Sequence, residues 1–169
     1  MSLASFPDGL RAVFVGAGGG IGSAVVELLA ESPRVSQVFA LTRAQPAPER
    51  PRVVNIPFDL RDEVSIATAA ERCSAYGPLH LVFVATGVFH DGPGLQPEKS
   101  WRALEAPAMA ASFAVNGIGP ALLAKHFLGR LATREKAVFA ALSARVGSIE
   151  DNRLGGWSRR AQSKDQRRR

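Results

Sequence analysis

The sequence predicts an α/β fold built on a doubly wound parallel sheet. Two observations predict it. Apolar runs of strand length alternate with helix-like stretches along most of the chain, and the first run leads directly into a glycine-rich turn, residues 16–22, that opens a helix. The runs are continuously apolar rather than alternating, which is typical of strands covered on both faces. The repeated strand–helix order favours parallel strands joined by crossover helices.

The first half of the chain supplies three strands and two helices. Apolar runs predict strands at residues 11–16, 37–42 and 52–57. The helix predicted over 20–31 has apolar residues at helical spacing, and a second helix is predicted over 62–75. Three prolines between residues 44 and 51 predict a loop after the second strand.

The second half continues the same order. Strands are predicted at 79–85 and 136–142, and helices at 98–105 and 108–131. A loop over 87–97, rich in glycine and proline, follows the fourth strand. After about residue 150 no apolar periodicity continues, so the sequence predicts a Rossmann-type sheet that is incomplete at its C-terminus.

The length and composition predict one domain, residues 1–157, which the glycine-rich turn marks as dinucleotide-binding, and a basic tail, residues 158–169, that we expect to be disordered. Residues 152–169 carry seven basic side chains and one acidic one, which accounts for the whole net charge of +6. The rest of the chain is therefore balanced. A basic tail without aromatic residues is only weak evidence for nucleic-acid binding, and we do not expect this protein to bind nucleic acid.

Other functional classes find little support in the sequence. No apolar run reaches the ~18 residues of a membrane span, and the N-terminus lacks the features of a secretory signal. The single cysteine, Cys73, excludes an internal disulfide and a cysteine-based metal cluster. His80 and His90 lack the partner spacing of a metal site or catalytic triad. We expect a soluble cytoplasmic protein that holds no metal.

The glycine-rich turn predicts a ligand. Glycines allow a tight turn and a close approach of backbone N–H groups to a pyrophosphate, which the N-terminus of the following helix also attracts. The spacing fails the strict GxGxxG form, because Ile21 stands where the last glycine belongs. Gly16, Gly20 and Gly22 instead satisfy GxxxGxG.

This form resembles the short-chain dehydrogenase/reductase family, and further matches follow in family order. They are Asp59-Leu60 after the third strand, Ala85-Thr86-Gly87 at the end of the fourth, Asn116 in the long helix and Ser143 at the end of the fifth. The stretch Asp-Asn-Arg-Leu-Gly-Gly-Trp resembles the C-factor-like, carbonyl-reductase-like branch. The resemblance covers residues 10–157 and implies a cofactor site formed by Gly16, Gly18, Gly20, Ile21, Gly22, Arg43, Asp59, Leu60, Ala85, Thr86 and Gly87.

Arg43 favours NADP(H) over NAD(H). Family members that use NAD commonly carry an acidic residue at the end of the second strand, where this chain has Thr42-Arg43. A guanidinium can pair bidentately with a 2′-phosphate, which an aspartate would repel. The alternative is that Arg43 is only a solvated loop charge.

The resemblance implies hydride transfer between nicotinamide and a carbonyl or secondary alcohol, with Asn116 in a structural or proton-relay role and Ser143 holding the substrate oxygen. Ser148 is the alternative serine. Lys164 stands at the family's lysine position, but Arg160 replaces the tyrosine that acts as general acid, and arginine does not release a proton in proteins. The chain therefore lacks the general acid of the family at this position.

Two functions stay open: an NADP(H)-dependent reductase, and a catalytically silent nucleotide-binding fragment from a truncated or frame-shifted product. The sequence does not define the substrate. The family commonly forms dimers or tetramers, so a homo-oligomer is a further expectation.

Overall fold

The computed structural model describes residues 3–43, 46–88 and 101–143, which contain one parallel sheet of five strands. The strands are β1 (Leu10–Val15), β2 (Val35–Thr42), β3 (Val53–Pro57), β4 (Leu81–Val84) and β5 (Val138–Ala141). Their order in the sheet is β3-β2-β1-β4-β5. The five predicted strands are confirmed, and this order is that of the doubly wound parallel sheet that the sequence predicts.

The register places the carboxyl ends of the strands together at one edge of the sheet. Val15 at the end of β1 pairs with Leu41 in β2 and with Val84 at the end of β4. Val84 in turn pairs with Ala141, the last residue of β5. The strand order reverses between β1 and β4, and in open α/β sheets ligands bind beyond the carboxyl ends at such a point.

Within the described residues four α-helices accompany the sheet: α1 (Gly20–Glu31), α2 (Glu63–Ser74), α3 (Ala106–Phe113) and α4 (Gly119–Phe127). The prediction for α1 is confirmed at both ends, but its apolar residues do not all face the interior. Ile21 and Leu28 are exposed, whereas Gly22, Val26 and Leu29 are buried. The predicted helix over 98–105 is wrong in type, since the described residues there form a short 3₁₀ turn, Trp101–Ala103.

The helix predicted over 108–131 is present but interrupted. A π-helical turn, Ala114–Ile118, separates α3 from α4, and a 3₁₀ turn, Leu128–Arg130, follows α4. Pro120 lacks the N–H that would bond the carbonyl of Asn116 in a regular helix. A wider turn at this point accommodates that missing bond.

The two faces of the sheet bury different side chains. Leu10, Ala12 and Phe14 of β1 form one apolar cluster with Val26 and Leu29 of α1. Phe39, which points to the opposite face from its neighbours Val38 and Ala40, contacts the ring of Tyr76 just after α2. The sheet is therefore covered on both faces, as the continuous apolar runs predict.

The described residues divide into two compact units, one of residues 3–43, 46–85 and 122–141 and the other of residues 86–88, 101–121 and 142–143. The helical stretch Ala106–Arg130 is long and apolar enough to cross a membrane by length and composition alone. One such stretch is weak evidence, because core helices of soluble proteins pass the same test. Leu123 and Phe127 near its end are fully buried.

Candidate functional site

The glycine turn lies at the carboxyl edge of the sheet and is fixed to the end of β2. The N–H groups of Gly16 and Ala17 both donate to the carbonyl of Leu41, over 2.9 and 3.1 Å. Gly16 has φ +94°, a backbone conformation that residues other than glycine rarely adopt. The chain therefore turns sharply as it leaves β1.

Gly22 is the point of closest approach between the turn and α1. A Cβ at Gly22 would stand 2.1 Å from the carbonyl oxygen of Gly16 and 2.9 Å from the Cα of Ala17. Both contacts are with backbone, which cannot swing aside. Helix α1 can pack this tightly against the turn only because residue 22 has no side chain.

The N-terminus of α1 is open. Gly19 is the N-cap and has no side chain to accept a hydrogen bond, and the first turn contains no acidic residue. Gly18, Gly19 and Gly20 are exposed, and a Cβ at Gly20 would meet nothing within 4 Å. The first N–H groups of a helix have no partners within it and carry partial positive charge, so this end suits an anion.

Arg43 and Asp59 leave neighbouring strands at the same edge. Thr42 pairs with Pro57, and the N–H of Phe58 donates to the carbonyl of Thr42 over 3.1 Å. Arg43 is the next residue on one strand and is exposed, while Asp59 follows Phe58 on the other and is half-buried. The structure therefore brings these two predicted cofactor residues together.

Asp59 is held by an arginine that sequence reasoning missed. Arg61 donates its backbone N–H and its Nε to Asp59 Oδ1, over 2.9 and 3.3 Å, and its Nη2 to Oδ2 over 3.1 Å. These hydrogen bonds, with a smaller contribution from the charge of Arg43, lower the pKa of the Asp59 carboxyl. The Asp-Leu-Arg-Asp sequence carries the signal, since a carboxylate commonly accepts the N–H two residues on.

Leu60 and Ala85 occupy different environments near the same edge. The side chain of Leu60 is buried, so it belongs to the interior. Ala85 is half-buried and extends the β1–β4 pairing, because its N–H donates to the carbonyl of Val15 over 2.9 Å. Ala85 thus continues β4 directly beside the start of the glycine turn.

In the other unit, Asn116 holds the segment that follows β4. Its Oδ1 accepts the N–H of Val88 over 3.0 Å, and its Nδ2 donates to the carbonyl of Val88 over 2.7 Å and to Ser112 Oγ over 3.2 Å. Asn116 is fully buried in the π-helical turn. The Asn116 side-chain amide thus satisfies the backbone N–H and carbonyl of Val88, as a neighbouring strand would.

Thr86 and Gly87 stand between Ala85 and that anchored residue. Gly87 is exposed and Thr86 is half-buried. Thr86 Oγ1 is buried, and the described residues give it no hydrogen-bond partner. A buried hydroxyl without a protein partner is uncommon and is a feature of sites that hold water or ligand.

Ser143 is exposed, two residues beyond the end of β5. Ser148, Arg160 and Lys164 lie outside the described residues, as does His90.

His80 and Cys73 have structural environments. His80 precedes β4, at the amino edge of the sheet, and its buried ring accepts the N–H of Arg11 at Nδ1 over 3.1 Å. The proton therefore sits on Nε2, which donates to Glu135 over 2.9 Å. Burial raises the pKa of the Cys73 thiol to about 12, so it is not a nucleophile. The described residues contain no cluster of metal-binding side chains.

No known family model matches the sequence, and no curated protein matches it. Solved structures do. The NADPH-bound carbonyl reductase from chicken fatty liver has TM-score 0.78 at 23% identity, over 96% of this chain and 69% of that one. The carbonyl reductase Sniffer of D. melanogaster has TM-score 0.81 at 19% identity, over 94% and 71% of the respective chains.

A short-chain dehydrogenase from Burkholderia cenocepacia in complex with NADP has TM-score 0.73 at 22% identity, over 94% of this chain and 64% of that one. All three likenesses run through almost the whole of this chain at low identity. The chain therefore has the fold of the carbonyl reductases and short-chain dehydrogenases.

Proposed function

We propose that this chain belongs to the short-chain dehydrogenase/reductase family and binds NADP(H) at the carboxyl edge of its sheet. The observation that carries the proposal is the contact of Gly22 with the backbone of Gly16. It brings the open N-terminus of α1 to the end of β1, at the point where the strand order reverses. A pyrophosphate is the anion that this arrangement accommodates.

The local chemistry fits the phosphate end of a dinucleotide. No acidic side chain in the first turn of α1 opposes an anion, and Gly18, Gly19 and Gly20 are exposed. Ile21 in the same turn exposes 65% of its surface. An apolar side chain at this position suits contact with the sugar and base of a nucleotide.

The adenosine end favours NADP(H). Arg43 is exposed at the end of β2, and the half-buried Thr42 precedes it. A guanidinium matches the geometry of a phosphate and forms paired, charge-assisted hydrogen bonds with it. The NADPH-bound and NADP-bound structures of the same fold are consistent with this preference.

The reaction that we propose is hydride transfer between nicotinamide and a small carbonyl or alcohol. When bound, the cofactor supplies or accepts the hydride. Ser143 would hold the substrate oxygen, and Lys164 would bind the nicotinamide ribose. Asn116 would position the segment after β4, because its amide is already bonded to Val88.

The second candidate function is nucleotide binding without catalysis. Arg160, at the position of the family's tyrosine, favours it. A general acid must lose its proton during the reaction, and arginine does not do so in proteins.

A binding experiment tests the NADP(H) site that both candidate functions share. Dissociation constants for NADPH and NADH are measured by calorimetry for the full chain, for Arg43→Ala and for Arg34→Ala. We expect NADPH to bind at least about tenfold more tightly than NADH, because a charged hydrogen-bonded pair contributes roughly 1.5–3 kcal/mol. Arg43→Ala removes that preference. Arg34 pairs with Asp8 at the amino end of β2, so its substitution is the matched control.

Equal affinities in the unchanged protein would contradict the role of Arg43, and no binding of either nucleotide would contradict the proposal as a whole. NADPH oxidation with a small ketone or aldehyde then distinguishes the two functions. Turnover supports the reductase, and binding without turnover supports the silent form.

A further inference from the structure

We propose that Arg61 is a specificity-determining residue that masks the charge of Asp59, so that Arg43 can attract the 2′-phosphate of NADP(H). This inference rests on the proposed function. The preference would then depend on two arginines, although only one of them contacts the phosphate.

The first step of the argument is the position of the carboxylate. Thr42 pairs with Pro57, and Phe58 bonds the carbonyl of Thr42. Arg43 and Asp59 therefore emerge within two residues of that pairing, on adjacent strands. An unpaired carboxylate here would oppose the attraction of Arg43 for an anion.

The second step is the way Arg61 holds that carboxylate. Its Nε and Nη2 contact one oxygen each, over 3.3 and 3.1 Å, and its backbone N–H donates to Oδ1 over 2.9 Å. Such a two-pronged contact directs the guanidinium plane at both oxygens. The positive charge of Arg61 therefore lies directly against the negative charge of the Asp59 carboxylate.

The third step is the rigidity of the loop that carries both residues. The N–H of Asp59 donates to Ser65 Oγ in α2 over 2.9 Å. The N–H of Asp62 donates to the carbonyl of Asp59 over 3.2 Å, and Asp62 caps α2 by accepting the N–H of Val64. Arg61 is therefore held between two fixed positions rather than on a free loop.

The size of the effect follows from exposure. The side chains of Arg61 and Asp59 are 55% and 36% exposed, so solvent screens the pair. We expect removal of the Arg61 charge to weaken NADPH binding by about tenfold at low salt, because the phosphate then faces an unmasked carboxylate. NADH, which lacks that phosphate, should change by less than about threefold. High salt should reduce the difference.

The test is a double-mutant comparison on the full chain. Dissociation constants for NADPH and NADH are measured for the unchanged protein, Arg61→Gln, Asp59→Asn and the double variant, with Arg34→Gln as the matched control at the amino edge. We expect Arg61→Gln to lower the NADPH:NADH preference about tenfold. The double variant, which carries neither charge, should keep a preference within about threefold of the unchanged protein, because the carboxylate that Arg61 masks is gone as well.

An effect of Asp59→Asn that is equal for NADPH and NADH leaves the ratio of their dissociation constants unchanged. A double variant with as low a preference as Arg61→Gln alone would overturn the inference, since Arg61 would then act on the phosphate directly. A parallel loss of NADPH and NADH affinity would overturn it too, since Arg61 would then only hold the loop. If the unchanged protein bound neither nucleotide, the proposed function would fail and this inference with it. Far-ultraviolet circular dichroism identifies any variant that fails to fold.

Discussion

Gly22 and Gly16 stand so close that no side chain fits between helix α1 and the turn before it. A Cβ on Gly22 would lie 2.1 Å from the Gly16 carbonyl oxygen, less than any real contact of this kind. The same contact sets the direction in which α1 leaves the sheet. The stability of the fold and the shape of the candidate nucleotide site therefore depend on the absence of a side chain at residue 22.

We expect Gly22→Ala to destabilise the protein by about 2 kcal/mol or more, because backbone must move to admit the methyl group. It should also weaken NADPH binding, since the N-terminus of α1 moves with the helix. Urea unfolding and calorimetry measure the two effects. Gly129→Ala is the matched control, because a Cβ there meets nothing within 4 Å. Equal stabilities of the two variants would show that the contact relaxes without cost.

The second prediction concerns the hydrogen bonds between the Asn116 amide and the Val88 backbone. Replacement by alanine leaves the N–H and carbonyl of Val88 without their partners, and the loss of a buried hydrogen bond of this kind costs about 1–3 kcal/mol. Ser112→Ala removes only one donor–acceptor contact of the same amide and should cost less. Hydrogen exchange at the Val88 amide provides the direct measurement. That amide should exchange much faster in Asn116→Ala, and an unchanged rate would show that its protection comes from elsewhere.

The sequence could predict the strands and the position of the glycine turn because both depend on local patterns. Apolar runs define the five strands, and glycines are required where the chain turns sharply. The buried face of α1 could not be predicted in this way. Ile21 and Leu28 are as apolar as the buried Val26, but the contact at Gly22 rotates them away from the core.

Contacts between residues that are distant in the chain could not be predicted from the sequence either. His80 and Glu135 are 55 residues apart, and nothing in either segment indicates the other. The pairing of Arg61 with Asp59 was within reach, because the two are separated by one residue. Their alignment nevertheless depends on the capping of α2 by Asp62, which a charge pattern does not reveal.

Glu63 makes the stability of the protein sensitive to acid. At the start of α2, its Oε1 accepts from Lys125 Nζ over 2.6 Å and from His126 Nε2 over 2.9 Å, both in α4. The hydrogen bond from Lys125, and then that from His126, lower the pKa of Glu63 below its ordinary value of 4.5. A carboxyl whose pKa is lower in the folded state stabilises the fold only while it is ionised.

This contribution should be complete above about pH 5 and should disappear as the pH falls through the lowered pKa of Glu63. The urea midpoint of the unchanged protein should therefore fall more steeply below pH 5 than that of Glu63→Gln, which has no charge to lose. Glu71→Gln, an exposed position on the same helix, is the control and should retain the steep acid dependence. Identical pH profiles for the unchanged protein and Glu63→Gln would show that the contact between α2 and α4 contributes no stability through its charge.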